Sequence, residues 1–370
     1  MAQSSRPLSS VEDLDVVVDA DGHTLESIDD LLRYVDNEAI RRRIENCEMP
    51  YADVYTYTHV GPIIGEAYGR GGKVTTNDVQ EDIQKRRDLE DFGIDYSITT
   101  PTLNLMIHTV NNDRYAVALA RAYNDWVADR LLDQSSQFKS TLVVPPRRPA
   151  AAAEEIDRRG GDDQVVGVYL PPGAVMALGD EFYDPVYEAA SRHDLTVICH
   201  GLQMREAGFP RQAEGAQTFG ESHVLSLPWS VMWGMNSIMF QGVPERFPDL
   251  EFVFQEAGIG WVPWMRWRMD DHYLEFTDDF PHLEQLPSKY IDEQFYFTTQ
   301  PVGHTADEPK HVARAIEMAG VENVMYSADL PHMDFDPPGE LFDRINPFLD
   351  EGDVRAIMGE TAVDVFGLDR

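Results

Sequence analysis

The 370-residue sequence has only two cysteines, Cys47 and Cys199, too far apart to suggest a disulfide framework. Lysine is almost as scarce, occurring only as Lys73, Lys85, Lys139, Lys289 and Lys310. No run approaches the roughly 18 uncharged apolar residues of a membrane span. The opening MAQSSRPLSS lacks the apolar centre of a signal peptide. No G-x-G-x-x-G follows the first apolar strand, where an open doubly wound sheet would bind a dinucleotide. These absences lead to the expectation of a cytoplasmic protein with no membrane partner.

Positive charge is also in deficit. Asp and Glu number 65 against 30 Lys and Arg, a formal net charge of −35. A nucleic-acid backbone would repel such a chain. The acidic residues are dispersed, as in EEIDRRGGDDQ and EFTDDFPHLEQ, and read as a solvated surface. Their mutual repulsion destabilises a compact state unless salt screens it. The expectation is a halophilic protein; an acidic mesophilic enzyme is the alternative.

The sequence does contain a regular alternation. At 43% hydrophobic content it can bury a substantial core. Eight β-rich runs recur: residues 14–20, 95–101, 139–146, 164–172, 195–201, 250–258, 294–300 and 323–329. Helix-patterned segments separate them, such as RYAVALARAYNDWVADRLL, where Val117, Ala120, Tyr123 and Val127 fall on one face. Strand–helix alternation implies right-handed βαβ units and a parallel sheet. Eight strands are the number that closes a barrel, so a (β/α)8 TIM barrel is predicted over residues 1–370 as one domain.

The stretch 24–94 is too long for an ordinary connection and is read as an insertion that acts as a lid. Its glycines Gly65, Gly69, Gly71 and Gly72 suit a flap, and Arg70 could clamp a carboxylate. GRGGK within it is not a phosphate loop, because Val74 stands where Ser or Thr is needed.

Barrel active sites lie at the C-terminal ends of the strands. The first strand runs into VVVDADGHTLES, and period-two alternation predicts that Asp19, Asp21 and His23 share one face, with Glu26 just beyond. The fifth strand ends in His200, the sixth in Glu256 and the eighth in Asp329. Alone, His200 could be structural and Asp329 a helix cap. Together at one barrel mouth, several carboxylates would repel without a cation, which points to a metal site.

DADGH at the first strand, HG at the fifth, RFPDLEFVFQEAGIGWVPW around the sixth and YSADLPHMD at the eighth resemble the amidohydrolase-related family. The similarity is to its aminocarboxymuconate semialdehyde decarboxylase-like branch and spans Val16 to Asp334. RAYNDW and DPVYEAA also resemble that family's helices. The resemblance implies a metal at the barrel mouth held by Asp21, His23, His200 and Asp329, with Asp19 supporting from one pleat deeper. It implies one divalent ion, Zn²⁺ ahead of Mn²⁺ or Fe²⁺. Two departures stand out: Asp21-Gly22-His23 replaces the usual His-x-His, and Glu256 occupies a place where many decarboxylases carry His. The fourth strand, GVYLPP, lacks the lysine of binuclear relatives, which favours one metal over two.

Two reactions fit these residues. In decarboxylation, Glu256 or His223 protonates the carbon as CO₂ leaves; in hydrolysis, Asp329 accepts a proton from water. Catalytic roles are therefore expected for Asp329, Glu256 and His223, with decarboxylase placed ahead of hydrolase. Trp229, Trp261, Trp264, Tyr169 and Phe209 near the strand ends suggest an apolar or aromatic carboxylate. The expected partners are this small-molecule substrate and a second copy in a homodimer.

Overall fold

The computed structural model describes residues 8–47, 67–69, 72–74, 89–173, 175–202, 219–303, 308–332 and 335–369. Eight parallel strands follow one another around a single sheet in chain order. They are β1 (Val18–His23), β2 (Tyr96–Thr100), β3 (Phe138–Val143), β4 (Val165–Tyr169), β5 (Thr196–His200), β6 (Phe252–Gln255), β7 (Phe295–Thr298) and β8 (Val324–Met325). The first and last strands meet through the Ala20 amide on Tyr326 O at 3.0 Å and the Asp329 amide on Asp21 O at 2.9 Å. The sheet thus closes as a (β/α)8 barrel, and each strand lies within or beside the run predicted for it.

Two cores result from the closure. Inside the barrel, Val18, Ala20, Ile98, Val166, Ile198, Val253 and Met325 pack on Ala362, Val363 and Phe366 near the C-terminus, which form the floor. Outward-facing residues of the same strands, such as Phe252, Phe254, Phe295 and Phe297, pack against the helices. Helix Asp113–Arg130 shows how this is anchored. Ala120, Tyr123 and Val127 are buried as the spacing predicts, with Ala116 and Leu119 beside them. Asn124 on the same face bonds both the carbonyl and the amide of Val143, pinning the helix to the end of β3.

Of the long connection after β1, the described parts are residues 24–47, with helices Ile28–Leu32 and Glu38–Cys47, the antiparallel pair Ala67–Gly69 and Gly72–Val74, and residues 89–94. Gly65, Arg70 and Gly71, on which a lid and a carboxylate clamp were expected, lie outside the described residues, as does Phe209. No helix among the described residues is long and apolar enough to cross a membrane.

Candidate metal centre

The first strand is not a regular ribbon. Asp19 pairs with Ser97 and Gly22 with Thr99, so β1 spends one more residue than β2 between these points and bulges at Ala20 and Asp21. The Asp19 carboxylate accepts from Ser97 Oγ at 3.0 Å, whereas Asp21 Oδ1 accepts from Thr100 Oγ1 at 3.2 Å. Ser97 and Thr100 stand on opposite faces of β2, so Asp19 is turned away from Asp21 and His23. This corrects the expectation that all three share one face: the bulge breaks the alternation. Gly22 faces the Asp19 side, where a Cβ would meet Ser97 Oγ at 2.1 Å. Only glycine fits between Asp21 and His23. Asp19 accepts from the Ala328 amide at 2.7 Å and so ties β1 to the segment that carries Asp329.

At the mouth, the side chains of Asp21, His23, His200 and Asp329 converge and are fully buried. His23 Nδ1 donates to Pro101 O at 3.0 Å, and His200 Nδ1 donates to Gly201 O at 2.7 Å. With those protons committed to backbone carbonyls, each Nε2 is left as a bare lone pair. The two Nε2 atoms face each other at 3.2 Å. Asp329 Oδ1 lies 3.1 Å from the first and Glu256 Oε2 3.0 Å from the second; Asp21 Oδ1 is within 3.6 and 3.7 Å of the two. Asp21 Oδ2 is buried with no hydrogen-bond partner. Lone pairs facing lone pairs and carboxylates in a dry pocket are repulsive unless a cation sits among them. The ligand atoms of Asp21, His23 and His200 lie within 4.8 Å of one another, as do those of His23, Glu256, Asp329 and His332. The donor set fits a divalent metal.

The electrostatics agree with this. Burial pushes the Asp21 carboxyl up to about 8, reinforced by Glu256 and Asp19 and opposed by His200 and Thr100. Burial pulls His200 below the usual imidazole range, with Asp21 opposing. Glu256 directly follows β6 and Asp329 lies in the turn beyond β8, both in the left-handed region, at φ 50° and 59°. Such backbone costs about 1–3 kcal/mol per non-glycine residue. Both strained residues aim a carboxylate into the mouth.

His223 stands farther out, its Nε2 3.9 Å from Glu256 Oε1. It lines a cleft of about 540 Å³ with Leu227, Pro228, Ile259, Trp261 and Val302. Tyr169 is buried and its hydroxyl donates to Leu105 O. Trp229 and Trp264, expected near the substrate, are 43% and 50% exposed on outer helices and are not among the residues that line this cleft. Sequence reasoning also missed His332 and Gln300. His332 Nδ1 is 2.7 Å from Asp329 Oδ1, and its ring lies against His23, tilted by 30° with centroids 4.0 Å apart. Gln300 Nε2 donates to Asp329 Oδ2 at 3.0 Å. The signals were present: SADLPH puts His332 one turn after Asp329, and TTQP puts Gln300 just past β7.

Comparison with known proteins gives a consistent result. The family described as Amidohydrolase matches residues 18–368. No curated protein matches in sequence. Among solved structures, 5-carboxyvanillate decarboxylase from Sphingomonas paucimobilis is 18% identical, covering 96% of this chain and 99% of its own, with a TM-score of 0.71. An amidohydrolase from Mycobacterium avium subsp. paratuberculosis K-10 is 19% identical with the same coverages and a TM-score of 0.74. A dihydroxybenzoic acid decarboxylase from Polaromonas sp. JS666, with bound manganese and the inhibitor 2-nitroresorcinol, is 17% identical, covers 96% and 97%, and scores 0.64.

Proposed function

The chain belongs to the amidohydrolase family, and from that premise we propose a metal-dependent carboxy-lyase that removes CO₂ from a small aromatic carboxylic acid. The observation that carries this reading is the meeting of two bare imidazole nitrogens with Asp21 and Asp329 oxygens in a buried mouth. Asp21, His23, His200 and Asp329 would hold one divalent ion; nitrogen and oxygen donors suit Zn²⁺, Mn²⁺ or Fe²⁺. When bound, that ion supplies positive charge for the substrate carboxylate or an adjoining oxygen. The names of the Sphingomonas and Polaromonas proteins support an aromatic acid as substrate, and the manganese in the latter supports a divalent ion.

The chain's own part is proton delivery. As the bond to the carboxyl carbon breaks, CO₂ departs and the electron pair stays on the ring carbon. Glu256 delivers its carboxyl proton there. His223, half-buried at the edge of the cleft and 3.9 Å from Glu256, then returns a proton to it from solvent. Hydrolysis is the second reading, favoured by the contact of Asp329 with His332 at 2.7 Å, a pair suited to taking a proton from water. A panel of hydroxybenzoic acids together with hydroxybenzoate esters and lactones, in ¹⁸O-labelled D₂O with added Mn²⁺, tests both. The expected result is CO₂ release with a solvent hydrogen on the ring; ¹⁸O in a cleaved product without CO₂ would establish hydrolysis instead.

The same reading extends to the setting of the enzyme. The free buried thiol of Cys199 suits a reducing cytoplasm. The acidic surface suits a salt-rich one. A homodimer is supported by exposed apolar side chains on two outer helices: Trp229, Trp233, Trp264 and Trp267 are 43–60% exposed, and Val224 and Leu225 are exposed as well. Four half-exposed indoles present on the order of 400 Å², half of the about 800 Å² each partner gives to an ordinary stable interface. Helix Phe219–Phe240 has no Asp, Glu, Lys or Arg after Glu221, so it offers two acidic copies a face on which their carboxylates do not repel. Light scattering on wild type and Trp233→Glu should read dimer and monomer; two monomers would remove this reading.

A further inference from the structure

The acidic residue just beyond the first strand, Glu26, has no part in the chemistry above. It is nevertheless buried, and its surroundings are unusual for a charge. Thr24 Oγ1 donates to Oε2 at 2.9 Å and the Thr102 amide to the same oxygen at 3.3 Å. The Asn104 amide and Asn104 Nδ2 donate to Oε1 at 2.8 and 3.1 Å. Thr24 Oγ1 also lies 3.1 Å from the buried Tyr123 hydroxyl. No lysine or arginine among the described residues pairs with it. A buried carboxylate without a counter-ion is costly, and it persists here because four donors close on it.

Three of those four donors come from one short turn after β2, at Thr102 and Asn104. The same turn makes two contacts into the mouth. Pro101 O accepts the Nδ1 proton of His23, and Thr102 Oγ1 sits 3.1 Å from His332 Nε2. The turn that Glu26 holds is therefore the turn that orients the His23 ring and decides how His332 meets Asp329. Glu26 touches none of the converging atoms itself.

We propose that Glu26 is a positioning residue: by clasping the Pro101–Asn104 turn it holds Pro101 O against His23 Nδ1 and Thr102 Oγ1 against His332 Nε2, and so fixes the orientation of both rings at the mouth. The chemistry requires a carboxylate. All four partners donate, so an amide at this position would set its own hydrogens against donors and push the turn outward. Pro101 O would then leave His23 Nδ1, freeing the ring to turn and its proton to move to Nε2, the nitrogen that must be bare. This rests on the metal reading only for its consequence, not for the geometry.

The test uses the full-length protein with ¹⁵N-labelled histidine. In metal-free wild type, His23 should show Nδ1 protonated and Nε2 bare. Glu26→Gln should give a mixture of both forms at His23 and a changed His332 signal, and Mn²⁺ affinity by calorimetry should fall about 10–100-fold, as for other outer partners of ligand histidines. Asn104→Ala removes one donor only and should shift both readouts the same way by less; it decides the matter if Glu26→Gln does not fold. A lower thermal midpoint in either variant with wild-type histidine signals and wild-type Mn²⁺ affinity would overturn the proposal, because Glu26 would then merely hold the loop. If wild type takes up no Mn²⁺, the metal reading fails, and the histidine signals of the metal-free protein still decide the role of Glu26.

Discussion

Ile198 and His200 stand two residues apart on β5, both without exposed surface, and point into the same barrel. Ile198 lies in the floor among Val18, Ala20, Val166, Val253 and Met325. His200 lies in the mouth, within 4 Å of Asp21, His23 and Glu256. Burial stabilises the first at about 25 cal/mol per Å² of apolar surface and opposes the second, because polar groups leave water without full compensation. The left-handed backbones at Glu256 and Asp329 add to that cost. One closed barrel thus contains a region built for stability and a region built against it. The floor offsets the mouth.

The largest expected effects separate Asp329 from Glu256, two of the three carboxylates of the mouth. Asp329→Asn should lose its metal, because a neutral amide is a poorer ligand, and turnover should fall to background. Glu256→Gln should retain metal while turnover falls by about 10²–10⁴, the usual contribution of a positioned acid or base. Metal content and turnover must be measured on the same preparations. If Glu256→Gln is as metal-free as Asp329→Asn, then Glu256 is a ligand and the assigned roles are wrong. Asp329→Asn should not cost the metal-free fold stability, since it removes charge from a crowded buried site.

The floor should respond in the opposite way. Ile198→Ala or Met325→Ala is expected to cost about 2–5 kcal/mol through lost burial and a residual cavity. Turnover per folded, metal-loaded molecule should stay within a few-fold of wild type. Denaturant unfolding with active-site titration reads both. A floor variant that keeps its stability but loses turnover would show that the two regions are coupled through the strands.

The next effect is smaller and depends on pH. Asp21 has its carboxyl raised by burial to about 8 in the metal-free fold. Between its unfolded value near 4 and 8 the folded state holds a proton that the unfolded state has lost, so this group's contribution to stability declines as pH rises. His200, lowered by burial, has the opposite slope below about 6.5. Above that only the Asp21 slope remains. A metal must displace the Asp21 proton, so its affinity should rise up to tenfold per pH unit to about pH 8 and then level. Calorimetry with Mn²⁺ across pH 6.5 to 9 measures this; an affinity flat below pH 8 would place Asp21 outside the ligand set.

The floor and the mouth were not equally legible. The eight strands could be read because short apolar runs between helical patterns recur eight times, and closure follows from that number. The convergence of Asp21, His23, His200, Glu256 and Asp329 could be read because each falls at or near the end of one of those apolar runs. The bulge at Ala20 and Asp21 could not: alternation is the default, and only the clash of a Cβ at Gly22 with Ser97 reveals the extra residue. His332 and Gln300 lie on turns after the strands, where no period assigns a direction. Trp229 and Trp264 were misjudged for a related reason. Helices Phe219–Phe240 and Val262–Glu275, which carry them, have apolar residues on both their buried and their exposed sides, so periodicity does not say which side faces the barrel.

Salt should produce the smallest effect, and it separates acid in the mouth from acid on the surface. With 65 acidic against 30 basic residues, the folded chain repels itself. Raising KCl from 0.1 to 1 M shortens the screening length from about 10 Å to about 3 Å. Exposed carboxylates then stop repelling each other, and the melting temperature should rise by roughly 2–4 °C for each kcal/mol recovered, less in a chain of this length. Asp21 and Asp329 are fully buried and out of reach of that screening. Metal-free and metal-loaded protein should therefore gain the same increment, with melting curves displaced in parallel across the series. A gain confined to the metal-free form would mean that salt cations relieve the mouth itself. A melting temperature that is flat or falling in both forms would leave an acidic surface with no adaptation to salt.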